Sequence, residues 1–452
     1  MGKGAEAGGM GNALLFGEFR DSSRGALEGE GGLSADARAL IAHAYAGVGE
    51  NEGQGDDALA PSDVADYHVH LAGVGDGAEA RAGCPCCWTH PNSTRWATAP
   101  HHRLKFRAFL AGFGVGDDAL SGRVSVDDTA KATLIRLMRD MNPFPEDHGL
   151  GRGHARAAVL AFDHVHDSRT GERDPSKSVI HVPDALVASV RDEFPDTVTA
   201  TCSVHPYRAD ALGALEAARA RGAALCKWLP NSMGIDPTDA RCVPFYAKLV
   251  ELGMPLLCHV GEEHSVDLGT GCLVNELGNP LRLRPALDAG CKVIMAHCAS
   301  EGRAVDLDAP VPAGKSRPPR ADCFDLFARL MDEPKYRGLL YADISSLTAW
   351  RRCDVPLRTV LERDDWHPRL VHGSDYPVPA VRTVVQTAKL VTLGYITSKQ
   401  RKALDEIWRH NPILFDLVLK RTLRHPTTGK GFPASIFRAH PDLPLVQPTL
   451  AT

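Results

Sequence analysis

Eight short runs of β-branched and apolar residues recur along the chain, and each ends on polar residues. They are "VADYHVH" (64–70), "AAVLAFDH" (157–164), "TVTATCSVH" (197–205), "AALCKWLP" (223–230), "MPLLCHVG" (254–261), "CKVIMAHC" (291–298), "GLLYADIS" (338–345) and "RLVHGSDYP" (369–377). Stretches such as "PDALVASVRDEF", "ADALGALEAARARG", "ARCVPFYAKLVELG", "NPLRLRPALDAG" and "RADCFDLFARLMDE" lie between them. Their apolar residues return at three- and four-residue intervals, the spacing of one helix face, and several close on Gly, a helix stop. Strands alternating with helices predict an α/β fold, a (β/α)8 TIM barrel. An open doubly wound sheet is the alternative, but no Gly-x-Gly-x-x-Gly follows the first run.

The pattern divides the chain into an N-terminal arm (1–62), a barrel (63–420) with an insertion after strand 1 (71–155), and a C-terminal tail (421–452). The arm is rich in Gly, Ala and acidic residues, and one helix is expected at "LSADARALIAHAYAG" with Ser34 as N-cap. The Pro-rich, charged stretch 306–323 reads as a loop over the barrel mouth.

Composition narrows the partners. The formal net charge is −5 with no sustained basic block, which argues against nucleic acid or anionic membrane. No run is long and apolar enough to span a bilayer, and the N-terminus lacks a signal-peptide pattern, so a cytoplasmic enzyme of small molecules is expected. Glu6 stands where a myristoylation signal has Ser or Thr. The arm and insertion leave room for homo-oligomer contacts. Twelve cysteines in 452 residues do not make a disulfide scaffold. "GCPCCWTHP" (Cys84, Cys86, Cys87, His90) has no second pair at zinc-ribbon spacing, and reads as an ordinary loop.

Candidate chemistry comes from the strand ends, which converge on one face of a parallel barrel. His-Val-His occurs twice, at 68–70 and 164–166. With 20 histidines in the chain, about one His-x-His is expected by chance, so the triplet alone says little. Position says more. Run 1 ends in His68 and His70, which share a face because strand side chains alternate. Run 4 carries Lys227, run 5 His259, run 6 His297 and run 8 Asp375. Runs 2 and 3 carry Asp163, His164 and His205, and run 7 carries Asp343 and Ser345. Taken singly, each histidine reads as a buried, hydrogen-bonded core residue. Jointly, so many titratable groups at the ends of apolar strands need one another or a shared ligand.

This ordered series resembles the amidohydrolase superfamily, which is marked by His-x-His on the first barrel strand, Lys on the fourth in many members, His on the fifth and sixth, and Asp on the eighth. "VHGSDYPVP" (371–379) and the helical "IWRHNPILFDLVL" (407–419) are similar to the last strand and closing helix of the amidohydrolase family 2 branch, which contains aminocarboxymuconate semialdehyde decarboxylase. The resemblance covers residues 63–420 and implies a metal-dependent hydrolase, whose metal-activated water attacks an amide, lactone or ester carbon. A non-oxidative decarboxylase on the same frame is the alternative. It further implies Zn²⁺ or another divalent ion, one or two per site, on His68, His70, Lys227, His259, His297 and Asp375. The minimal single-metal set is His68, His70, His259 and Asp375. Asp375 is the expected general base. His297 is either a second-metal ligand or a group that orients substrate. Lys227 either carries a bridging carbamate, pairs with a carboxylate, or binds a substrate carboxylate. Pocket candidates are Trp228, Asn231, Glu262, His264, His164 and Tyr376.

Overall fold

The computed structural model describes residues 32–46, 57–71, 73–77, 110–144, 153–174, 177–178, 180–264 and 272–445. Each of the eight runs holds one strand: β1 (Ala65–His70), β2 (Arg156–Leu160), β3 (Val198–Ala200), β4 (Cys226–Trp228), β5 (Leu256–Cys258), β6 (Val293–Met295), β9 (Leu340–Asp343) and β10 (Leu370–Val371). All pair in parallel, in two arcs ordered β1-β2-β3 and β10-β9-β6-β5-β4. Backbone hydrogen bonds close both seams. Between β3 and β4, Cys202 N donates to Leu225 O (3.0 Å) and Lys227 N to Cys202 O (2.8 Å). Between β10 and β1, Tyr67 N donates to His372 O (2.9 Å) and Asp375 N to His68 O (2.7 Å). Ladders that run round to their own start make a barrel, so the fold is α/β with a (β/α)8 TIM-barrel order and not an open doubly wound sheet. The strands are buried on both faces, which is why they read as near-continuous apolar runs.

Helices expected from periodicity form at Asp184–Glu193, Ala211–Ala220, Cys242–Glu251 and Cys323–Asp332. The arm's helix forms at Ala35–Ala46, with Ser34 Oγ accepting from Ala37 N. Three expectations differ from the structure, the first being "NPLRLRPALDAG", which forms a 3-10 turn at Pro280–Leu283 followed by a short α-helix at Arg284–Asp288. The stretch 407–419 is two helices, Ser398–His410 and Pro412–Thr422. Pro412 cannot donate to a continuing helix, and Asn411 Oδ1 starts the second by accepting from Ile413 N (2.9 Å) and Leu414 N (3.0 Å). The stretch 306–323 lies in an antiparallel hairpin, β7 (Arg303–Val305) with β8 (Arg320–Asp322), and does not line the mouth cavity described below.

Much of the tail packs against the barrel. His372 N donates to Ile436 O (2.7 Å), Tyr67 Oη to Leu443 O (2.7 Å) and Thr199 Oγ1 to Leu445 O (2.9 Å). Phe432, Ile436, Phe437, Leu443 and Leu445 are buried there. Within the insertion, Gly112 O accepts from Tyr376 Oη (2.6 Å), tying that segment to the chain after β10.

Candidate metal centre and cavity

At the C-terminal ends of the strands lies a cavity of about 320 Å³. His68, His70, Lys227, His259, His297 and Asp375 all line it. Alternation along β1 carries His68 and His70 inward together, while Tyr67 and Val69 point to the opposite face. One ligand atom each from His68, His297 and Asp375 fall within 4.8 Å of one another. His70 Nε2 lies 3.0 Å from Asp375 Oδ1, and the His259 ring is 5.2 Å from that of His297. Lys227 Nζ sits 3.3 Å from His68 Nε2, and among the described residues no carboxylate stands at ion-pair distance from it.

Backbone conformation aims several of these groups. His297, Cys298 and Ala299 follow β6 with φ of 57°, 50° and 49°, and Ser346 and Asp375 have φ of 54° and 60°. Left-handed backbone at a residue with a Cβ costs on the order of 1–3 kcal/mol, and such strain clusters at functional sites.

Burial sets the charge states. It lowers His70 and His259 to about 4 and His297 well below the imidazole range, so all three are neutral near pH 7 and offer lone pairs. Burial also pulls the Lys227 ammonium down to about 8, against the opposing charges of Asp343 and Asp375. For Asp375 burial acts upward, but electrostatic interaction with the neighbouring rings of His297 and His68 and a hydrogen bond with His70 outweigh it and hold the carboxyl well below its usual range. The site thus combines neutral imidazoles with a permanent carboxylate, a donor set suited to a first-row divalent cation. Among the described residues, two buried ring nitrogens of the site, His259 Nε2 and His70 Nδ1, have no hydrogen-bond partner, the nearest carboxylate to the former being Glu263 Oε2 at 3.5 Å. Orphaned buried polar atoms of this kind fit an ion in the cavity.

Of the six pocket candidates, only His264 lines the cavity. Lys227 points inward, so its neighbour Trp228 points outward; its Nε1 donates to Val204 O (2.9 Å) and its ring packs on Phe245 and Tyr246. Asn231 Nδ2 is bonded to Gly261 O and Asn275 Oδ1, Tyr376 Oη to Gly112 O, and Glu262 faces the hairpin at Arg303 N. His164 stacks on His181 and meets Ser178 Oγ at 3.2 Å. Its companion His166 bonds Gly171 O, beside Asp163, which Arg208 neutralises at 3.0 Å. The second His-Val-His is therefore packed into the loops after β2 and β3, away from the cavity. Cys84, Cys86, Cys87 and His90 lie outside the described residues.

Sequence reasoning missed the rest of the wall. Phe162, Ile180, Leu229, Trp350, Val378 and Val384 make much of it apolar. Arg351 and Arg352 share Glu301 at 2.7 and 3.1 Å, and His264 reaches the same carboxylate at 3.2 Å. Loops bring these residues in, and loops carry no periodic signal; the Trp350-Arg351-Arg352 triplet beyond a strand end was the available clue.

No family model and no curated protein matches the sequence. Among solved structures, the chain is similar to an uncharacterised TIM-barrel protein of Bordetella bronchiseptica (14% identity, 77% of this chain and 96% of that one, TM-score 0.42). It is also similar to a putative 2-pyrone-4,6-dicarboxylic acid hydrolase of Pseudomonas putida (13%, 76% and 89%, TM-score 0.36). A third is the 5-carboxyvanillate decarboxylase of Sphingomonas paucimobilis (10%, 76% and 92%, TM-score 0.36). At such scores these neighbours carry no argument about this chain's chemistry, and the fold stands on its own seams.

Proposed function

We propose that this chain is a metal-dependent hydrolase of small organic acids, with hydrolysis at an amide, lactone or ester carbon. The observation that carries the reading is the convergence of His68, neutral His297 and ionised Asp375 on one buried point of an apolar-walled cavity. A divalent ion held there, Zn²⁺ being our first expectation, would polarise a substrate carbonyl and acidify a neighbouring water. His68, His70, His259, His297 and Asp375 would hold it. Asp375, kept anionic, takes the proton from the attacking water, and the apolar walls exclude other water from the reacting carbon. Lys227, poised near neutrality beside His68, serves either as a carbamate in a two-ion site or as a cationic contact to substrate.

The acid end of the substrate is argued from charge. Glu301 is shared by two permanent cations and by His264, whose protonated form its hydrogen bond favours, so the Arg351–Arg352 side of the mouth carries surplus positive charge, while Glu263 of the same wall lies beside His259 at 3.5 Å. Arg352→Gln is expected to raise KM by about 10- to 100-fold with a smaller effect on kcat, because one charge-assisted contact is worth about 1.5–3 kcal/mol. Steady-state kinetics on the two parameters separately checks this.

The apolar walls favour one other reading, a non-oxidative decarboxylase, because they would destabilise a substrate carboxylate seated over the ion. The deciding experiment combines metal analysis with product labelling in ¹⁸O-water. One equivalent of a transition metal, lost in His68→Ala, together with ¹⁸O in the product supports the hydrolase. Carbon dioxide release without label moves the assignment to the lyase. A protein that neither retains a metal nor responds to His68→Ala rejects both.

A further inference from the structure

The end of β9 reads Asp343-Ile344-Ser345-Ser346, and each of its three polar side chains touches a different member of the His68, His297 and Asp375 group. Asp343 Oδ2 faces His68 Nδ1 at 2.9 Å. Ser345 Oγ faces His297 Nδ1 at 2.7 Å. Ser346 Oγ donates to Asp375 Oδ2 at 2.6 Å. All three are buried. The arrangement follows from backbone geometry. Asp343 and Ser345 are two apart and share the inner face, whereas Ile344 turns to the outer core. The left-handed φ of Ser346 then swings its hydroxyl toward the chain after β10.

The protons in this network can be assigned. A carboxylate only accepts, so the Asp343 contact requires the proton of His68 to be on Nδ1. Asp343 Oδ1 also accepts from His297 N (2.9 Å), from Ser345 N (3.1 Å) and from the Ser345 hydroxyl. That last bond commits the only hydroxyl proton of Ser345, which can then only accept from Nδ1–H of His297. Both imidazoles are left with a lone pair on Nε2. Ser346 occupies one oxygen of Asp375 and leaves Oδ1 beside His70 Nε2 and His68 Nε2, at 3.0 and 3.5 Å. Lone pairs and a carboxylate oxygen are what a cation needs, and groups that fix them commonly contribute 10- to 100-fold to metal affinity.

We propose that Asp343, Ser345 and Ser346 form a single orienting clamp that sets the tautomers of His68 and His297 and the rotation of Asp375, so that all three present ligand atoms to the same ion. They are positioning residues. The inference rests on the metal reading for what the ligand atoms hold, but the tautomers are a property of the protein alone.

The test therefore has two arms. In the metal-free full chain, long-range ¹H–¹⁵N NMR is expected to find His68 and His297 as Nδ1–H tautomers. Asp343→Asn, whose amide can donate to Nδ1, shifts His68 toward Nε2–H, and Ser345→Ala leaves His297 a mixture. In the second arm, Zn²⁺ affinity by chelator competition weakens about 10- to 100-fold in Asp343→Asn, Ser345→Ala and Ser346→Ala, with thermal unfolding as the folding control, while Ser345→Thr keeps the wild-type value. Should Asp343→Asn not fold, the two serine variants carry the test. Nε2–H tautomers in the wild-type protein overturn the proposal, as do serine variants whose Zn²⁺ affinity stays within about twofold of wild type. A wild-type chain that binds no Zn²⁺ rejects the metal reading instead, and the NMR arm still decides whether the clamp exists.

Discussion

Asp375→Asn is expected to give a folded barrel that retains no stoichiometric divalent ion and turns substrate over about 10³-fold more slowly, or worse. Asparagine keeps the shape of the side chain and a contact for Ser346 Oγ, so the left-handed turn at 375 survives. What it removes is the negative charge. Asp375 is the carboxylate of the compact ligand group, and it faces His70, His68 and His297 at 3.0, 3.5 and 3.9 Å. With the charge gone, neutral imidazoles alone must hold the ion beside a Lys227 ammonium that Asp375 no longer offsets. The variant also has no base for the attacking water. Metal analysis and kcat on the same preparation check both losses. A variant that keeps its ion and works within about tenfold of wild type removes Asp375 from the mechanism. His164→Ala is the matched control. Its ring is stacked on His181 outside the cavity, so metal content is expected to stay at the wild-type level.

The contrast between those histidines bears on what a sequence can reveal. His68-Val-His70 and His164-Val-His166 are the same triplet, and composition cannot separate them. Strand order can, because a parallel barrel brings the C-terminal ends of its strands to one face. The eight runs, the ring of alternating elements and the six strand-end residues His68, His70, Lys227, His259, His297 and Asp375 that line the cavity were legible for that reason. Parity within a strand was legible too but went unused: inward Lys227 already required outward Trp228. The role of the β9 end was hidden for a different reason. Asp343, Ser345 and Ser346 look like ordinary polar residues at a strand end, and their partners His68, His297 and Asp375 lie 275, 48 and 29 positions away. The left-handed turns at 297 and 346 occur at His and Ser, where no glycine marks them. Arg351, Arg352 and Glu301 meet through loops, whose paths follow from packing and not from any repeat.

Below the site, the strongest expected effect on stability comes from Lys420. It is buried in the helix Pro412–Thr422, where its Nζ donates to Asp416 Oδ2 at 2.5 Å and to Gly373 O at 2.8 Å, two residues before Asp375. Lys420→Met fits the same space, yet leaves Asp416 as a buried charge without its cation and Gly373 O without its donor. Removing one partner of a buried pair costs about 3–5 kcal/mol, far more than a surface pair would. The double variant Asp416→Asn/Lys420→Met is expected to recover a good part of that loss, since no uncompensated charge remains. The pH dependence follows from the carboxyl. Burial raises Asp416 from 3.8 to about 6, even though Lys420 pulls the other way. A carboxyl raised on folding contributes stability that is full below the unfolded value and is lost as pH rises through the folded one. Without Lys420 the value climbs further, so the protonated, neutral form of Asp416 persists to higher pH and the loss spreads upward. The deficit of Lys420→Met should therefore be small near about pH 4 and largest above about pH 7, and Asp416→Asn should flatten it. Denaturant unfolding of the four proteins at both ends of that window measures the effect, and a deficit independent of pH would show that the pair is not what holds this helix to the end of β10.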